Sequence, residues 1–201
     1  MQLTLRAGQP TEIAASVLAA GWVGYGVILA LGKRGAARGD AKRDVKSSFG
    51  FVLQCAAYGI CFLFPRTYFS PLLPMSRLDE EILAGLDVAF TVSSVWFCFA
   101  AARALGRQWA LMARVSEGHE LIRQGPYAVV RNPIYLAMLG MLMATGLAVS
   151  HWQTLVGAAI VFAAGTAIRI RAEENLLREA FGPKFDEYAR HVPAFLPRLW
   201  T

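Results

Sequence analysis

Apolar and polar positions alternate along the chain in long blocks. The apolar blocks approach the roughly 20 residues that a helix needs to cross a bilayer core, and the segments between them are polar and contain turn residues. This pattern predicts an all-α, polytopic membrane protein with about five transmembrane helices. The five apolar runs cover residues 13–31, 49–64, 82–105, 133–149 and 152–168.

The last two apolar runs are predicted to form a tight antiparallel hairpin, because only Ser150 and His151 separate them. Beyond residue 168 the helical pattern continues but becomes amphipathic, until Gly182-Pro183 ends it. We therefore predict a C-terminal amphipathic helix on the cytosolic side. The predicted organisation is an N-terminal part with transmembrane helices 1–3, followed by a core with a polar loop, the hairpin and this last helix. The two parts cover residues 1–105 and 106–201.

Composition favours a membrane protein over a soluble one. Of the 201 residues, 56% are hydrophobic and only 17% are charged, whereas an average soluble domain has about 25% charged residues. The formal net charge of +6 could indicate a nucleic-acid partner, but the basic residues lie between the apolar runs. We interpret them as orientation signals, and we expect no nucleic-acid partner.

The basic residues also predict an orientation, because cytoplasmic loops carry an excess of Lys and Arg. With five spans, 17 of the 20 Lys and Arg fall on the side that holds the C-terminus. The opposite side receives only Arg6, Arg66 and Arg77. We therefore expect the N-terminus outside and the C-terminus and active site in the cytoplasm. The membrane would be the inner (plasma) membrane if the protein is bacterial.

The polar segment 119–135 is rich in turn residues. Gly125-Pro126 predicts a turn, because proline fixes φ and glycine frees it. Asn132-Pro133 predicts a helix start, with the Asn132 side chain as cap and Pro133 at the first helical position. A helix N-terminus offers unpaired N–H groups and partial positive charge. This segment, residues 119–135, is called the polar corner below, and it is suited to a carboxylate or a phosphate.

Ionisable residues cluster where the fifth span leaves the membrane. Arg169 and Glu173 are four apart on one helix face, and Arg171 and Glu174, three apart, share a neighbouring face. In a soluble helix such pairs are surface ion pairs that contribute little, whereas at a membrane exit they are costly and more often functional. No second His, Cys or carboxylate lies at metal-ligand spacing from His119, so no metal is expected.

Thiols and one carboxylate inside the apolar runs have simpler interpretations. Cys55, Cys61 and Cys98 form no C-x-x-C pattern and are interpreted as buried packing residues. Asp87 lies near the outer end of the third run and is interpreted as an interfacial or interhelical polar group. We assign none of these four residues to a site.

The second half of the chain contains three motifs: G-H-E-L-I-x-x-G-P-Y-x-x-x-R-N-P-I-Y, then R-I-x-x-E-E-x-x-L-x-x-x-F-G-x-x-F-x-x-Y, and a final V-P-x-x-L-P. Together these motifs resemble the isoprenylcysteine carboxyl methyltransferase family, whose relatives include the phospholipid N-methyltransferases. The motifs occur in this order on either side of two closely spaced apolar runs. The resemblance covers about residues 105–200, and the first two runs carry no signature.

The resemblance implies an integral-membrane enzyme that uses S-adenosyl-L-methionine, enclosed by the polar corner and the C-terminal helix. Glu173 would hold the polar end of the cofactor, and Arg169 would face the methyl acceptor as the catalytic and substrate-binding residue. Asn132 stands where the eukaryotic members have His, and it cannot carry charge. The other residues implied to line the cofactor are His119, Glu120, Leu121, Ile122, Tyr127, Asn132, Pro133 and Tyr135.

A carboxylate acceptor suits these residue types, because it is ionised at pH 7 and needs no general base. An arginine can orient it through a two-pronged contact. The expected partner is thus a lipophilic acceptor from the bilayer, such as an isoprenylated cysteine or a similar isoprenoid or lipid, among membrane lipids. An amine or thiol acceptor would favour a nearby base, for which His119 or Glu174 are the candidates.

Three alternatives stay open. The first is a phospholipid or thiol methyltransferase. The second is an NADPH-dependent membrane reductase of the sterol-reductase type, whose C-terminal region looks similar. The third is a non-catalytic lipid-binding membrane protein that has kept only the fold, which Asn132 keeps in consideration.

Overall fold

The computed structural model describes residues 9–35, 45–66, 77–106 and 121–197. Five longer helices in these ranges correspond to the five predicted apolar runs, and two shorter helices were not predicted separately. The seven helices of the described ranges are α1 (Gln9–Gly35), α2 (Val45–Ile60), α3 (Arg77–Leu105), α4 (Pro126–Val129), α5 (Pro133–Val149), α6 (Trp152–Phe181) and α7 (Pro183–His191).

Helix α5 forms the centre of the molecule, because it is apolar on all sides and buries most of its side chains. It packs against α3 on one side and against α6 on the other. Helix α1 then packs on α3, and α2 packs on α6. The N-terminal helices therefore flank the α5–α6 hairpin instead of forming a separate bundle, and α2 lies directly beside the helix that carries Arg169.

Three of the described helices are long and apolar enough to cross a membrane: Pro10–Leu31, Glu80–Leu105 and Trp152–Phe181. Ser47–Ile60 and Pro133–Val149 are apolar but shorter. The all-helical class is confirmed, and three of the predicted spans are helices of sufficient length and hydropathy to cross a membrane. The five-span topology stays a prediction. The amphipathic C-terminal segment is not a separate helix at its start, because α6 continues without a break to Phe181.

Two glycines let α2 and α6 approach each other closely. A Cβ atom on Gly50 would lie only 2.7 Å from the carbonyl oxygen of Gly165 and 2.7 Å from Cγ of Arg169. A Cβ atom on Gly165 would lie 2.7 Å from the carbonyl oxygen of Gly50. Small residues at a helix crossing bring the two backbones together, so neighbouring side chains of α2 reach Arg169.

At the opposite end of the molecule, Arg66 joins the chain after α2 to the α5–α6 turn. Its Nε donates to the carbonyl oxygen of Ser150 at 2.7 Å, and a terminal nitrogen donates to that of Leu147. Its backbone N–H donates to Val149 at 2.8 Å. A cation at a helix C-terminus compensates the unpaired carbonyls and the helix dipole. Arg66 was predicted only as a residue of an outer loop, and its structural role was missed.

The polar and thiol groups inside the apolar runs divide into buried and exposed cases. Asp87 is fully buried on α3, which favours the interhelical interpretation over the interfacial one. Cys61 and Cys98 are buried, as predicted. Cys55 is exposed on α2, so its assignment as a buried packing residue was wrong. Its neighbour Gln54 takes the inward position instead, because adjacent helix residues point about 100° apart.

Candidate functional site

The polar corner before α5 adopts the predicted turn. Gly125 has a positive φ of 61°, a conformation that residues with a Cβ atom rarely adopt. Pro126 then begins the short helix α4, whose residue Tyr127 is buried. The sequence Gly-Pro thus reverses the chain here, and the corner folds back onto the end of α6 and onto α7.

Asn132 takes the predicted N-cap position of α5, and Pro133 is its first residue. The side chain of Asn132 makes no capping hydrogen bond, so that part of the prediction was wrong. Instead its Nδ2 donates to the carbonyl oxygen of Ala194 at 2.8 Å. The amide is drawn away from the helix end because the C-terminal segment offers it a carbonyl. Asn132 therefore connects the corner to the C-terminal segment.

Arg131 makes the strongest set of contacts between the corner and the end of the chain. Its Nε and Nη2 donate to Oε1 of Glu174 at 2.9 and 2.7 Å. Its Nη1 donates to the carbonyl oxygens of Ala189, at 2.9 Å, and Val192. Glu174 was predicted to share a face with Arg171, but its partner is Arg131, which is 43 residues away. Helix periodicity cannot reveal such a long-range pair.

Helix α7 also packs onto the corner. The hydroxyl of Tyr188 donates to the carbonyl oxygen of Tyr127 at 2.6 Å. Burial raises the pKa of Tyr188 to about 12, so the phenol stays protonated and remains a donor at neutral pH. Phe185, on the same helix, is completely buried. This helix was not predicted, although the F-x-x-Y spacing places both rings on one helical face.

Arg169 lies in a buried polar cluster at the other side of the corner, with only 3% of its side chain exposed. Its Nε donates to the hydroxyl of Tyr135 at 2.8 Å, and that hydroxyl donates to Oε1 of Glu173. Nη2 of Arg169 lies 3.7 Å from the same carboxylate oxygen, in the predicted i,i+4 pair. Three predicted site residues from two helices are therefore in contact.

Helix α2 completes this cluster with residues that sequence reasoning missed. Oε1 of Gln54 accepts from Nη1 of Arg169 at 3.4 Å, and Nε2 of Gln54 donates to Oγ1 of Thr166 at 2.9 Å. The ring of Phe51 lies 5.4 Å from Cζ of Arg169, within cation–π range. The available signal was Gln54 itself, a strongly polar amide in the middle of the apolar run 49–64.

The cluster has a buried end and an open end. Glu173 is 26% exposed, whereas Arg169 is almost fully enclosed. Burial and, second, the negative charge of Glu173 raise the pKa of Tyr127, so this carboxylate also acts on the corner. An anionic group at the open end faces the corner, and a cationic group faces α2. This arrangement can bind a ligand with an amine at one end and orient an anion at the other.

The remaining predicted cofactor-lining residues lie at different places. His119 and Glu120 fall outside the described residues. Leu121 and Ile122 lie in irregular chain before the Gly125-Pro126 turn and are partly buried, and Pro133 is buried at the start of α5. The structure thus brings Tyr135, Arg169 and Glu173 together, whereas Asn132 and Tyr127 contact the C-terminal part of the chain. Within the described ranges, no group of three or more His, Cys, Asp or Glu residues could hold a metal ion.

Comparison with known proteins assigns the chain to a class. The sequence model of the phospholipid methyltransferase family matches residues 83–184, which include most of α3, the corner, the hairpin and most of the cluster. The chain belongs to the phospholipid methyltransferase family. Helix α2, with Gln54 and Phe51, lies outside the matched segment.

Individual relatives agree with this assignment. The chain is 36% identical over 96 residues to the nickel-cobalt-cadmium resistance protein NccN of Alcaligenes xylosoxydans xylosoxydans, covering 47% of this chain and 45% of the relative. It is 36% identical over 96 residues to the cobalt-zinc-cadmium resistance protein CzcN of Cupriavidus metallidurans, covering 47% and 44%. It is 30% identical over 94 residues to protein-S-isoprenylcysteine O-methyltransferase B of Arabidopsis thaliana, covering 46% and 48%.

The chain therefore matches just under half the length of each of these relatives. The predicted resemblance to the isoprenylcysteine carboxyl methyltransferases is confirmed. The assignments of individual residues to cofactor and acceptor stay predictions.

Proposed function

We propose that this protein is an integral-membrane, S-adenosyl-L-methionine-dependent methyltransferase for a lipophilic acceptor. The acceptor is the carboxylate of an isoprenylated cysteine or of a similar isoprenoid or lipid. The observation that carries the proposal is the buried cluster of Arg169, Tyr135 and Glu173. It lies inside the segment that matches the methyltransferase family.

The proposed topology has five spans, with α2 and α5 as the short ones. Their 16 and 17 residues give lengths of about 24–26 Å at 1.5 Å per residue, slightly less than a hydrocarbon core of about 30 Å. Local thinning of the bilayer accommodates such a mismatch at modest cost. The N-terminus lies outside, and the corner, the cluster and α7 lie at the cytoplasmic face, in agreement with the distribution of Lys and Arg.

The residues present fit the cofactor. The partly exposed carboxylate of Glu173 suits its amino group, and the start of α5 suits its carboxylate. The implied lining consists of His119, Glu120, Leu121, Ile122, Tyr127, Asn132, Pro133 and Tyr135, together with Glu173. When bound, the cofactor supplies a methyl group on a sulfonium. The protein's own part is to orient both partners and to exclude water.

Arg169 orients the acceptor in this proposal. A carboxylate entering from the bilayer meets the guanidinium, which is held by Tyr135 and Gln54 on fixed helices. The acceptor carboxylate is already ionised at pH 7, so its oxygen is a nucleophile without the help of a general base. Glu173 balances the charge of Arg169 while the acceptor is absent. For an amine or thiol acceptor, Glu174 is a poor base, because Arg131 occupies it through two hydrogen bonds.

The test uses purified wild-type protein in lipid nanodiscs. Titration calorimetry with S-adenosylmethionine should show saturable binding, and thermal stabilisation by this ligand but not by NADPH separates the methyltransferase from the reductase alternative. Transfer of a tritiated methyl group is then compared among farnesylated N-acetylcysteine, phosphatidylethanolamine and an alkyl thiol. We expect labelling of the farnesylated carboxylate. Absence of cofactor binding, or labelling of none of the three acceptors, contradicts the proposal and favours a non-catalytic lipid-binding protein.

A further inference from the structure

Gln54 is a completely buried amide with both of its ends engaged. Its oxygen accepts from Arg169 at 3.4 Å, and its nitrogen donates to the hydroxyl of Thr166 at 2.9 Å. A buried amide inside an apolar helix is costly unless its polar atoms are paired. Arg169 and Thr166, one helical turn apart on α6, supply this pairing, so the three residues form one unit.

The orientation of the Gln54 amide follows from chemistry. Arginine has only donors, so the amide oxygen must face Arg169. The amide nitrogen then faces Thr166, whose hydroxyl oxygen accepts from it. The reversed orientation would place two donors against each other. Arg169 therefore sets which way the amide points, Thr166 holds the amide nitrogen by accepting from it, and Gln54 in turn restrains one arm of the guanidinium.

The backbones that carry this unit are held close together. Gly50 and Gly165 leave no room for a Cβ atom at the α2–α6 crossing, and Gln54 is four residues along α2 from Gly50, on the same face. Phe51 covers the guanidinium from the same helix. The position of Gln54 relative to Arg169 is thus set by helix packing, which gives the accuracy that orientation of a reactant requires.

We propose that Gln54 is a positioning residue for methyl transfer and that α2 forms one wall of the acceptor site. Its amide oxygen holds Nη1 of Arg169 so that the guanidinium presents its fork to the acceptor carboxylate. This inference rests on the proposed function, in which Arg169 orients the acceptor. It extends the site to a helix that lies outside the family match of residues 83–184.

Two substitutions of similar size to glutamine separate the effect of the lost hydrogen bond from the effect of an added charge. Gln54→Met removes the amide oxygen, so the guanidinium loses one restraint, and we expect kcat to fall at least tenfold. Gln54→Glu keeps an acceptor for Arg169 but adds a negative charge that competes with an anionic acceptor. We expect it to raise the KM for the acceptor at least tenfold. Neither change should alter the Kd for S-adenosylmethionine by more than twofold.

Thr166 provides a second pair of variants. Thr166→Val has nearly the same shape but cannot accept from the Gln54 amide, so kcat should fall about as far as in Gln54→Met. Thr166→Ser keeps the hydroxyl and should restore kcat to within threefold of the wild type. The matched control is Gln153→Met, because Gln153 is exposed near the other end of α6 and should leave every parameter unchanged.

The measurement uses the full chain in nanodiscs, with farnesylated N-acetylcysteine as the acceptor and tritiated S-adenosylmethionine as the donor. Cofactor Kd and the thermal midpoint are recorded for every variant, to separate positioning from misfolding. The inference is overturned if Gln54→Met keeps kcat within twofold of an active wild type, or if its loss follows a weaker cofactor Kd. A wild type that binds no cofactor contradicts the proposed function itself, and the inference falls with it.

Discussion

Two arginine–glutamate pairs lie on either side of the corner, Arg131 with Glu174 and Arg169 with Glu173. They differ in the distances between the guanidinium and its partners. Arg131 has hydrogen bonds of 2.7–2.9 Å to Glu174 and Ala189, besides its contact with Val192. Arg169 is more deeply buried. Its Nε donates to Tyr135 at 2.8 Å, but its contacts to Glu173 and Gln54 are longer, at 3.7 and 3.4 Å. The two arginines thus differ most in how closely each holds its glutamate.

This difference indicates a division of labour. A guanidinium with short bonds to fixed groups has no capacity for a ligand, and it connects segments that are distant in the chain. A buried guanidinium whose glutamate partner lies 3.7 Å away is costly, and ionisable groups where a helix leaves the membrane are often functional. We therefore infer that Arg131 holds the C-terminal segment in place, whereas Arg169 serves the acceptor.

Replacing Arg169 gives the largest expected effect. Arg169→Ala should lower turnover at least about a thousandfold, or ~4 kcal/mol in transition-state stabilisation, because it removes the guanidinium that is proposed to orient the acceptor. Cofactor Kd should stay within threefold of the wild type. The control is Arg171→Ala, which removes an exposed arginine two residues away on α6. Methyl transfer and cofactor titration are measured side by side, and equal losses in both would remove the distinction between the two arginines.

Replacing Arg131 should instead affect stability. Arg131→Met leaves the mostly buried Glu174, which is 14% exposed, without its partner. The expected cost is about 3 kcal/mol, a fall in thermal midpoint of about 6–12 °C for a chain of this size. The control is Arg178→Met, because Arg178 and Asp186 pair at 2.9 Å but are 44% and 55% exposed. Breaking that exposed pair should lower the free energy of unfolding by less than about 1 kcal/mol. Equal falls in the two variants would contradict the role of burial.

Glu173 is expected to contribute to cofactor binding. Glu173→Gln keeps a hydrogen-bond acceptor for Tyr135 but removes the negative charge, so Kd for S-adenosylmethionine should rise about tenfold, or ~1.4 kcal/mol. Glu187→Gln, an exposed position on α7, is the matched control. Calorimetry in nanodiscs measures both. An unchanged Kd would mean that the open end of the cluster does not hold the cofactor.

The features predicted well from sequence are those set by local rules. The first helix of the hairpin has the predicted boundaries Pro133–Val149, and the second begins at Trp152 as predicted. The two residues between them are too few to form anything longer than a turn. The i,i+4 pair of Arg169 and Glu173 follows from helix geometry. Gly182 ends α6 with a positive φ of 51°, as a glycine before a proline would be expected to do.

The features that were missed depend on long-range packing. Gln54 meets Arg169 across 115 residues, and Arg66 meets the α5–α6 turn across 84. The Asn132 side chain turns from the helix end to Ala194, which is 62 residues later. The partner of each of these polar groups is determined by how the helices pack, so it cannot be predicted from periodicity in the sequence.

Asp87 is a third buried ionisable residue to compare with the two arginines, and it differs from both in its partners. It is completely buried on α3, and within the described residues neither carboxylate oxygen has a hydrogen-bond partner. Burying an unpaired carboxylate costs more than burying an amide of the same shape. Asp87→Asn should therefore stabilise the protein by about 1 kcal/mol, a rise in thermal midpoint of about 2–4 °C.

The matched control for Asp87 is Glu81→Gln, which makes the same chemical change at an exposed position of α3 and should leave the midpoint unchanged. Methyl transfer should be normal in both variants, because Asp87 belongs to neither arginine's network. A lower midpoint in Asp87→Asn would show that the carboxylate has a charged partner. Asp87 would then resemble Arg131, because both would be buried charges that stabilise the fold through a bonded partner.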